Sequence, residues 1–333
     1  MAISACLIAK NEEKNIGRCL ESLKNVIDEI ILVDTGSTDN TKEIGKRYGA
    51  KIFDYKWDGN FSNARNFSLE KASKPWILII DCDEILDQTT VSRLKELTSD
   101  KRYPFEGYGV IISNIIGGTE KYTILSLRLI RNKPDYRFEG AIHEQIGHKI
   151  EQLHGKYSVL SSEVRLYHYG YEEIPEIQAK KTKRNLEILE SISEEERDGL
   201  FYLHLGNEYS RMNDIYKAIE YYKISLQISS IESPHFTNVA HRLIEALYMS
   251  DKVSDVISYG EEILKTMPDF KAVKFLVAIS YLRFKEYNRT LELIESYLNS
   301  NNTLSKYPDV TYDTKENIEN LRNQLRNMCL RDN

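Results

Sequence analysis

Asp81 and Asp83 stand one residue apart, directly after the apolar run Trp76-Ile-Leu-Ile-Ile80. Two carboxylates in that spacing can hold a divalent ion. Mg²⁺ and Mn²⁺ favour oxygen ligands and commonly keep substrate phosphates in their shell. The run before them fits a strand buried on both faces, as in the middle of an α/β sheet. Ligands of open α/β sheets bind at the carboxyl ends of the strands. A second run, Glu29-Ile-Ile-Leu-Val-Asp34, also ends on an aspartate and brings it to the same edge. The outline is a nucleotide pocket, with Asp34 for a base or ribose and Asp81 with Asp83 for metal and diphosphate. No GxGxxG or GxxxxGK[ST] is present, so neither a dinucleotide fold nor a P-loop NTPase is supported.

The elements that must position these acids can be read in order. Ile3 to Ala9 is a buried strand. Asn11 is placed to cap a helix that starts with Glu12 and Glu13 and carries Ile16, Cys19, Leu20 and Leu23 at helical spacing. After Asp34, Ser37 or Thr38 caps a helix that Gly49 stops. Lys51 to Asp54 is a third strand, Asn60 to Ala72 a helix, and Thr89 to Leu97 another. Gly107 to Asn114 and Tyr122 to Ile130 read as strands joined at Gly117-Gly118. Strands alternating with helices imply a mostly parallel, Rossmann-like sheet.

Composition bounds the rest. At 333 residues, two domains are expected; 41% hydrophobic and 29% charged residues are ordinary for a globular chain. A net charge of −6 argues against a nucleic-acid binder. The four cysteines, Cys6, Cys19, Cys82 and Cys329, form no CxxC pair and read as free thiols in a reducing compartment. The amino terminus has no basic stretch before its first apolar run, so no signal peptide is expected. No run approaches a transmembrane span. The expected location is the bacterial cytoplasm.

Leu7-Ile-Ala-Lys-Asn-Glu-Glu13, Ile31-Leu-Val-Asp-Thr-Gly-Ser-Thr-Asp-Asn-Thr41, Phe61-Ser-Asn-Ala-Arg-Asn66 and Asp81-Cys-Asp83 occur in this order. Together they resemble the family 2 glycosyltransferases of GT-A fold, across roughly the first half of the chain. The resemblance implies that Ile8, Ala9, Lys10 and Glu12 border the nucleoside and that Asp34 accepts from the base or ribose. Arg65 would face the base or diphosphate. Asp81 would touch nucleoside or metal, and Asp83 would bind the metal. Cys82 belongs to the same nucleotide-binding stretch, its side chain expected in the core. In Tyr136-Arg-Phe-Glu-Gly-Ala-Ile-His-Glu-Gln145 the resemblance makes Glu144 the base, with Glu139 as substitute; His143 either orients the acceptor or packs in its loop. His168, in Val164-Arg-Leu-Tyr-His-Tyr-Gly-Tyr171, would be a further metal ligand, since imidazole suits Mn²⁺ better than Mg²⁺. His148 and His154 have no partner spacing that suggests a site.

After Glu172, helical spacing dominates. Tyr202-x-x-Leu205-Gly206-x-x-Tyr209, Ala218 and Tyr222 match the tetratricopeptide pattern, and weaker copies follow around Ile244 and Ala278. Thr314 to Asn327 reads as a capping helix and 299–313 as a loop. The expected domains are 1–171, catalytic; 172–199, a linking helix; and 200–330, tetratricopeptide-like. A GT-A domain followed by such helices resembles the bacteriocin peptide glycosyltransferases. The resemblance implies an inverting, metal-dependent hexosyltransferase using a UDP-sugar and Mn²⁺ or Mg²⁺. Its acceptor would be a peptide or protein gripped by the helices, which would serve self-association as a homodimer equally well. Related members extend lipopolysaccharide core or other cell-surface glycans. Two rival classes fit less well: a nucleotidyltransferase, disfavoured by Lys10-Asn-Glu-Glu13 where that class carries a Gly-rich basic loop, and an inactive tetratricopeptide adaptor, disfavoured by the intact acids.

Overall fold

The computed structural model describes residues 2–99, 104–155, 157–170, 175–300 and 312–330. The chain divides into two compact units, Met1–Lys181 and Thr182–Asn333. The domain boundary expected at 171–172, and all but the ends of the loop expected over 299–313, lie outside the described residues.

The first unit holds one eight-stranded sheet: β1 (Ile3–Ala9), β2 (Glu29–Asp34), β3 (Lys51–Asp54), β4 (Trp76–Ile79), β5 (Glu84–Leu86), β6 (Gly107–Ile116), β7 (Thr119–Arg131) and β8 (Val159–His168). Their order across the sheet is β3-β2-β1-β4-β7-β6-β8-β5. The β3-β2-β1-β4 half is parallel, and β6 pairs β8 in parallel; β7 runs antiparallel to β4 and β6, and β5 to β8. Helices cover both faces, which is why β1, β2 and β4 are written as nearly unbroken apolar runs. On one face lie α1 (Ile16–Leu23) and α4 (Val91–Ser99), whose Cys19, Leu20, Leu94 and Leu97 pack with Leu7, Leu78 and Val110. On the other, Leu69 of α3 (Phe61–Lys71) and Ile150 of α5 (Gly147–His154) pack with Ile31, Ile77 and Ile130. The remaining helix, α2 (Thr41–Arg47), stands against β3 and α1.

Three local readings need correction. Asn11 is not a helix cap: it sits at φ 57°, and α1 begins only at Ile16, without a side-chain cap. Ser37 and Thr38 do not cap α2 either, because both are used by the neighbouring loop, and α2 begins at Thr41. The strand before the acids ends at Ile79, and 82–83 form a turn into β5, a short strand that local pattern did not reveal. Cys82 is nonetheless buried, its thiol toward the Ile8 carbonyl at 3.6 Å.

From α6 (Pro175–Glu190) onward the described chain has no strand. Three helix pairs follow: α7 (Gly199–Arg211) with α8 (Ile215–Ile228), α9 (Phe236–Met249) with α10 (Val253–Thr266), and α11 (Lys271–Arg283) with α12 (Tyr287–Asn299). Each pair turns on a left-handed residue, Asn213, Asp251 or Lys285, all at φ 61° and spaced 38 and 34 residues apart. That is the repeat spacing of the tetratricopeptide pattern, with one longer first repeat. Gly206 is part of the pattern because a Cβ there would lie 2.5 Å from the Tyr222 ring. The capping helix α13 (Lys315–Cys329) buries Ile318 and Leu325 in the same core. Among the described residues no helix is long and apolar enough to cross a membrane.

Candidate active site

The turns after β1 and β2 are laced into one rim. Ala9 and Asp34 are register partners at the ends of their strands. Asp34 is buried and accepts from the backbone N–H groups of Gly36 (3.1 Å) and Ser37 (2.9 Å), a turn that sets Gly36 at φ 106°. Across the gap, Asn11 N–H donates to Ser37 Oγ at 2.9 Å, Thr38 N–H to Asn11 Oδ1 at 2.8 Å, and Glu12 N–H to Thr41 Oγ1 at 2.7 Å. The left-handed backbone of Asn11 makes this lacing feasible, a conformation Asn tolerates better than most residues. Ile8 is half-buried and Lys10 exposed on the same rim.

Beside the rim runs a chain of charges. Arg65, projecting from α3, donates through Nε to Glu144 Oε1 (2.5 Å) and through Nη2 to Asp81 Oδ1 (2.9 Å). Arg128, from β7, donates through Nη2 to Asp81 Oδ2 and to Glu84 Oε1, both at 3.1 Å. Glu84 Oε2 in turn accepts from the Asp81 N–H at 2.9 Å. Burial alone would raise Asp81; the two guanidiniums outweigh it and hold the carboxyl well below the usual range. Glu84 goes the other way. Burial, with the charges of Asp81 and Asp83, pushes it up to about 7 against the opposing pull of Arg128. Removing one partner of such a buried pair costs on the order of 3–5 kcal/mol, because the other charge is stranded.

The same helix that carries Arg65 also holds the loop that carries Glu144. Phe61 N–H donates to the Ala141 carbonyl (2.8 Å), Ser62 Oγ to the Gly140 carbonyl (2.6 Å), and Asn66 exchanges hydrogen bonds with both backbone groups of Phe138. This explains the polar residues of Phe61-Ser-Asn-Ala-Arg-Asn66 on a helix otherwise packed on the sheet. Glu139 points elsewhere, toward Lys149 at 3.7 Å, and is largely exposed. Glu144 and both arginines line a cavity of about 400 Å³ with Leu125, Leu127 and Phe138.

Asp83 and His168 form the third part. His168 Nε2 lies 3.4 Å from Asp83 Oδ2, and its Nδ1 is 2.8 Å from Asn114 Oδ1. An amide oxygen can only accept, so Nδ1 carries a proton, and Nε2 is the nitrogen turned to Asp83, where its own N–H donates to the carboxylate and a metal ion would take that proton's place. A hydrogen bond from the far ring nitrogen to a fixed oxygen is what orients a metal-ligating histidine. Burial lowers His168, but its hydrogen bond and charge contact with Asp83 prevail and raise it. The two donors suit a divalent ion that takes its remaining positions from phosphate oxygens and water. Among the described residues no group of three such side chains forms a complete cage. Both Asp81 oxygens are engaged by arginine, so of the residues expected to bind a metal Asp83 and His168 suit the role better.

Asp34, Arg65, Asp81, Asp83, Glu144 and His168 were all expected from the sequence, and the structure brings the last five together beside the Asp34 rim. Arg128, Glu84 and Asn114 were not. Glu84 follows Asp83 directly and was legible as a third acid. Arg128 was not: Tyr108 pairs with Leu129 and Gly109 with Leu127, so Arg128 is the extra residue of a β-bulge, re-aimed toward the end of β4.

Residues 4–154 match the family model described as Glycosyl transferase family 2. Over that stretch the chain is similar to the family 2 glycosyltransferases. Curated relatives include the TPR repeat-containing protein Synpcc7942_0270 of Synechococcus elongatus, 39% identical over 43% of this chain and 35% of its own length. The SPbeta prophage-derived glycosyltransferase SunS of Bacillus subtilis is 29% identical over 67% of this chain and 53% of its own. The lipopolysaccharide core biosynthesis glycosyltransferase LpsC of Rhizobium meliloti is 38% identical over 44% and 57%. The chain therefore spans between about a third and somewhat over half of the length of these relatives.

Proposed function

We propose that this protein is an inverting, divalent-metal-dependent glycosyltransferase that moves a sugar from a nucleotide-sugar, a UDP-sugar by its family resemblance, to a peptide or protein side chain in the bacterial cytoplasm. On this reading residues 1–171 are catalytic, 172–199 link, and 200–330 offer the helical repeats to the acceptor or to a second copy. The observation that carries it is the Glu144–Arg65–Asp81 chain, which sets a carboxylate base next to the acids of a nucleotide rim.

Glu144 Oε1 is taken by Arg65, and Oε2 has no protein partner among the described residues. Oε2 therefore accepts the proton of the acceptor hydroxyl or thiol. The freed nucleophile bonds to the anomeric carbon while the bond to the diphosphate oxygen breaks, and the leaving group keeps the electron pair. Asp83 and His168 would hold the divalent ion, which when bound offsets charge on the diphosphate. The rim at Asp34 and the turn after β1 holds the nucleoside. The peptide reading rests on the helical repeats, whose stacked pairs suit extended chains. A glycan acceptor is the second reading, favoured by the likeness to the lipopolysaccharide core enzyme.

The test is release of nucleoside diphosphate from a panel of UDP-, GDP- and dTDP-sugars, with and without Mn²⁺. Metal-dependent hydrolysis of one donor is expected, with transfer abolished in Asp83→Ala and Glu144→Gln variants that still melt cooperatively. Full transfer by Glu144→Gln would remove that residue from the base role. A wild type that neither hydrolyses any donor nor is stabilised by a nucleotide would point to an inactive adaptor instead.

A further inference from the structure

Arg128 is only partly used by the protein around it. Its hydrogen bonds to Asp81 and Glu84 all run through Nη2, while Nε is buried without a partner. A guanidinium carries five N–H donors, and leaving one buried and unpaired is costly. The β-bulge that turns Arg128 toward β4 makes it a wall of the 400 Å³ cavity that Glu144 also lines. On the glycosyltransfer reading, the anomeric carbon must stand within reach of Glu144, so the transferred sugar occupies this cavity. The diphosphate belongs beside Asp83 and His168.

Resting on that reading, we propose that Arg128 is a specificity-determining residue whose guanidinium, where Asp81 and Glu84 leave its donors unused, hydrogen-bonds a hydroxyl of the donor's sugar. The charge balance narrows the sugar to a neutral one. Two guanidiniums face the three carboxylates of Asp81, Glu84 and Glu144, so no surplus positive charge awaits a sugar acid. Asp81 becomes the brace between the two arginines, and Arg65 keeps to the base while Arg128 keeps to the sugar.

The experiment compares, by calorimetry, binding of a nucleoside diphosphate and of its hexose conjugate to the wild type and to Arg128→Lys, which keeps the cation and loses the guanidinium's additional donors. The pair is the one selected by the turnover panel. The nucleoside diphosphate should bind both proteins within about twofold. The extra affinity conferred by the sugar should fall roughly tenfold or more in the variant, as expected for a hydrogen bond from a charged donor. Monodeoxy donors supply a second reading that needs only the wild type. One of them should bind about tenfold more weakly, and in Arg128→Lys that hydroxyl should no longer matter. An unchanged ratio of sugar-nucleotide to nucleotide affinity, or a wild type indifferent to every single hydroxyl, would overturn the assignment. Better binding of a uronic acid conjugate would overturn the neutral-sugar part. No binding of any nucleoside diphosphate to the wild type would instead overturn the donor reading on which the assignment rests.

Discussion

Gly170 has no room for a side chain. A Cβ there would press on Asp83 Oδ2 and His168 Nε2, closer than van der Waals contact allows. The backbone of the residue two beyond the histidine therefore closes one side of the proposed metal pair. A Gly170→Ala variant is expected to fold, since the clash falls on two polar side-chain tips, but to lose most of its Mn²⁺ affinity. Titration with Mn²⁺ monitored by calorimetry checks this, and undiminished affinity would place the ion elsewhere. The acids of the site were legible because each stands in a short local signature. Asn114 was not, since nothing near it in the chain marks it as the partner of a histidine 54 residues away.

At the scale of elements, Glu29 anchors the first half of the sheet. It opens β2, is buried, and accepts from Ser4 Oγ on β1 (2.5 Å), Lys51 Nζ on β3 (2.7 Å), and Ser73 N–H (2.7 Å) just before β4. Burial opposes ionisation, but these donors prevail and hold its carboxyl at about 2. A carboxylate depressed in the folded state adds stability above its unfolded pKa, and loses that stability as pH falls through the folded one. The contribution is roughly 3 kcal/mol at neutral pH by linkage. Glu29→Gln should cost about that much in urea unfolding at pH 7, with the gap to wild type closing between pH 4.5 and pH 2. A gap that stays constant with pH would assign the loss to packing instead. None of this network was visible beforehand: Glu29 looked like the polar start of a strand. The same limit applies to β5, whose three residues carry no period, and to the loop lacing that displaced Asn11, Ser37 and Thr38 from their expected capping roles.

At the scale of the whole molecule, two compact units with separate apolar cores predict that unfolding is not a single two-state event. Calorimetry should resolve two steps. A nucleoside diphosphate with Mn²⁺ should raise only one of them, by about 2.7 kcal/mol at a hundredfold excess over Kd. The step that ligand leaves in place belongs to the helical unit, and Gly206→Val should lower it by roughly 1–3 kcal/mol through overpacking against Tyr222. A single concerted step would show that the units unfold together.

The alternation of strand and helix, the switch to helical repeats and the acids at the strand ends were determined by sequence alone. They are local facts: a strand buried on both faces prints as an apolar run, a helix prints its turn, and a repeat prints its spacing. Only the tertiary structure decided which charges meet. Arg128 reaches Asp81 from 47 residues away, and Arg65 reaches Glu144 from 79. The first contact depends on one bulged residue in a hairpin and the second on a helix pinning a distant loop. Strand register and loop packing are set by the balance of many non-local contacts, and no short stretch of chain carries that balance.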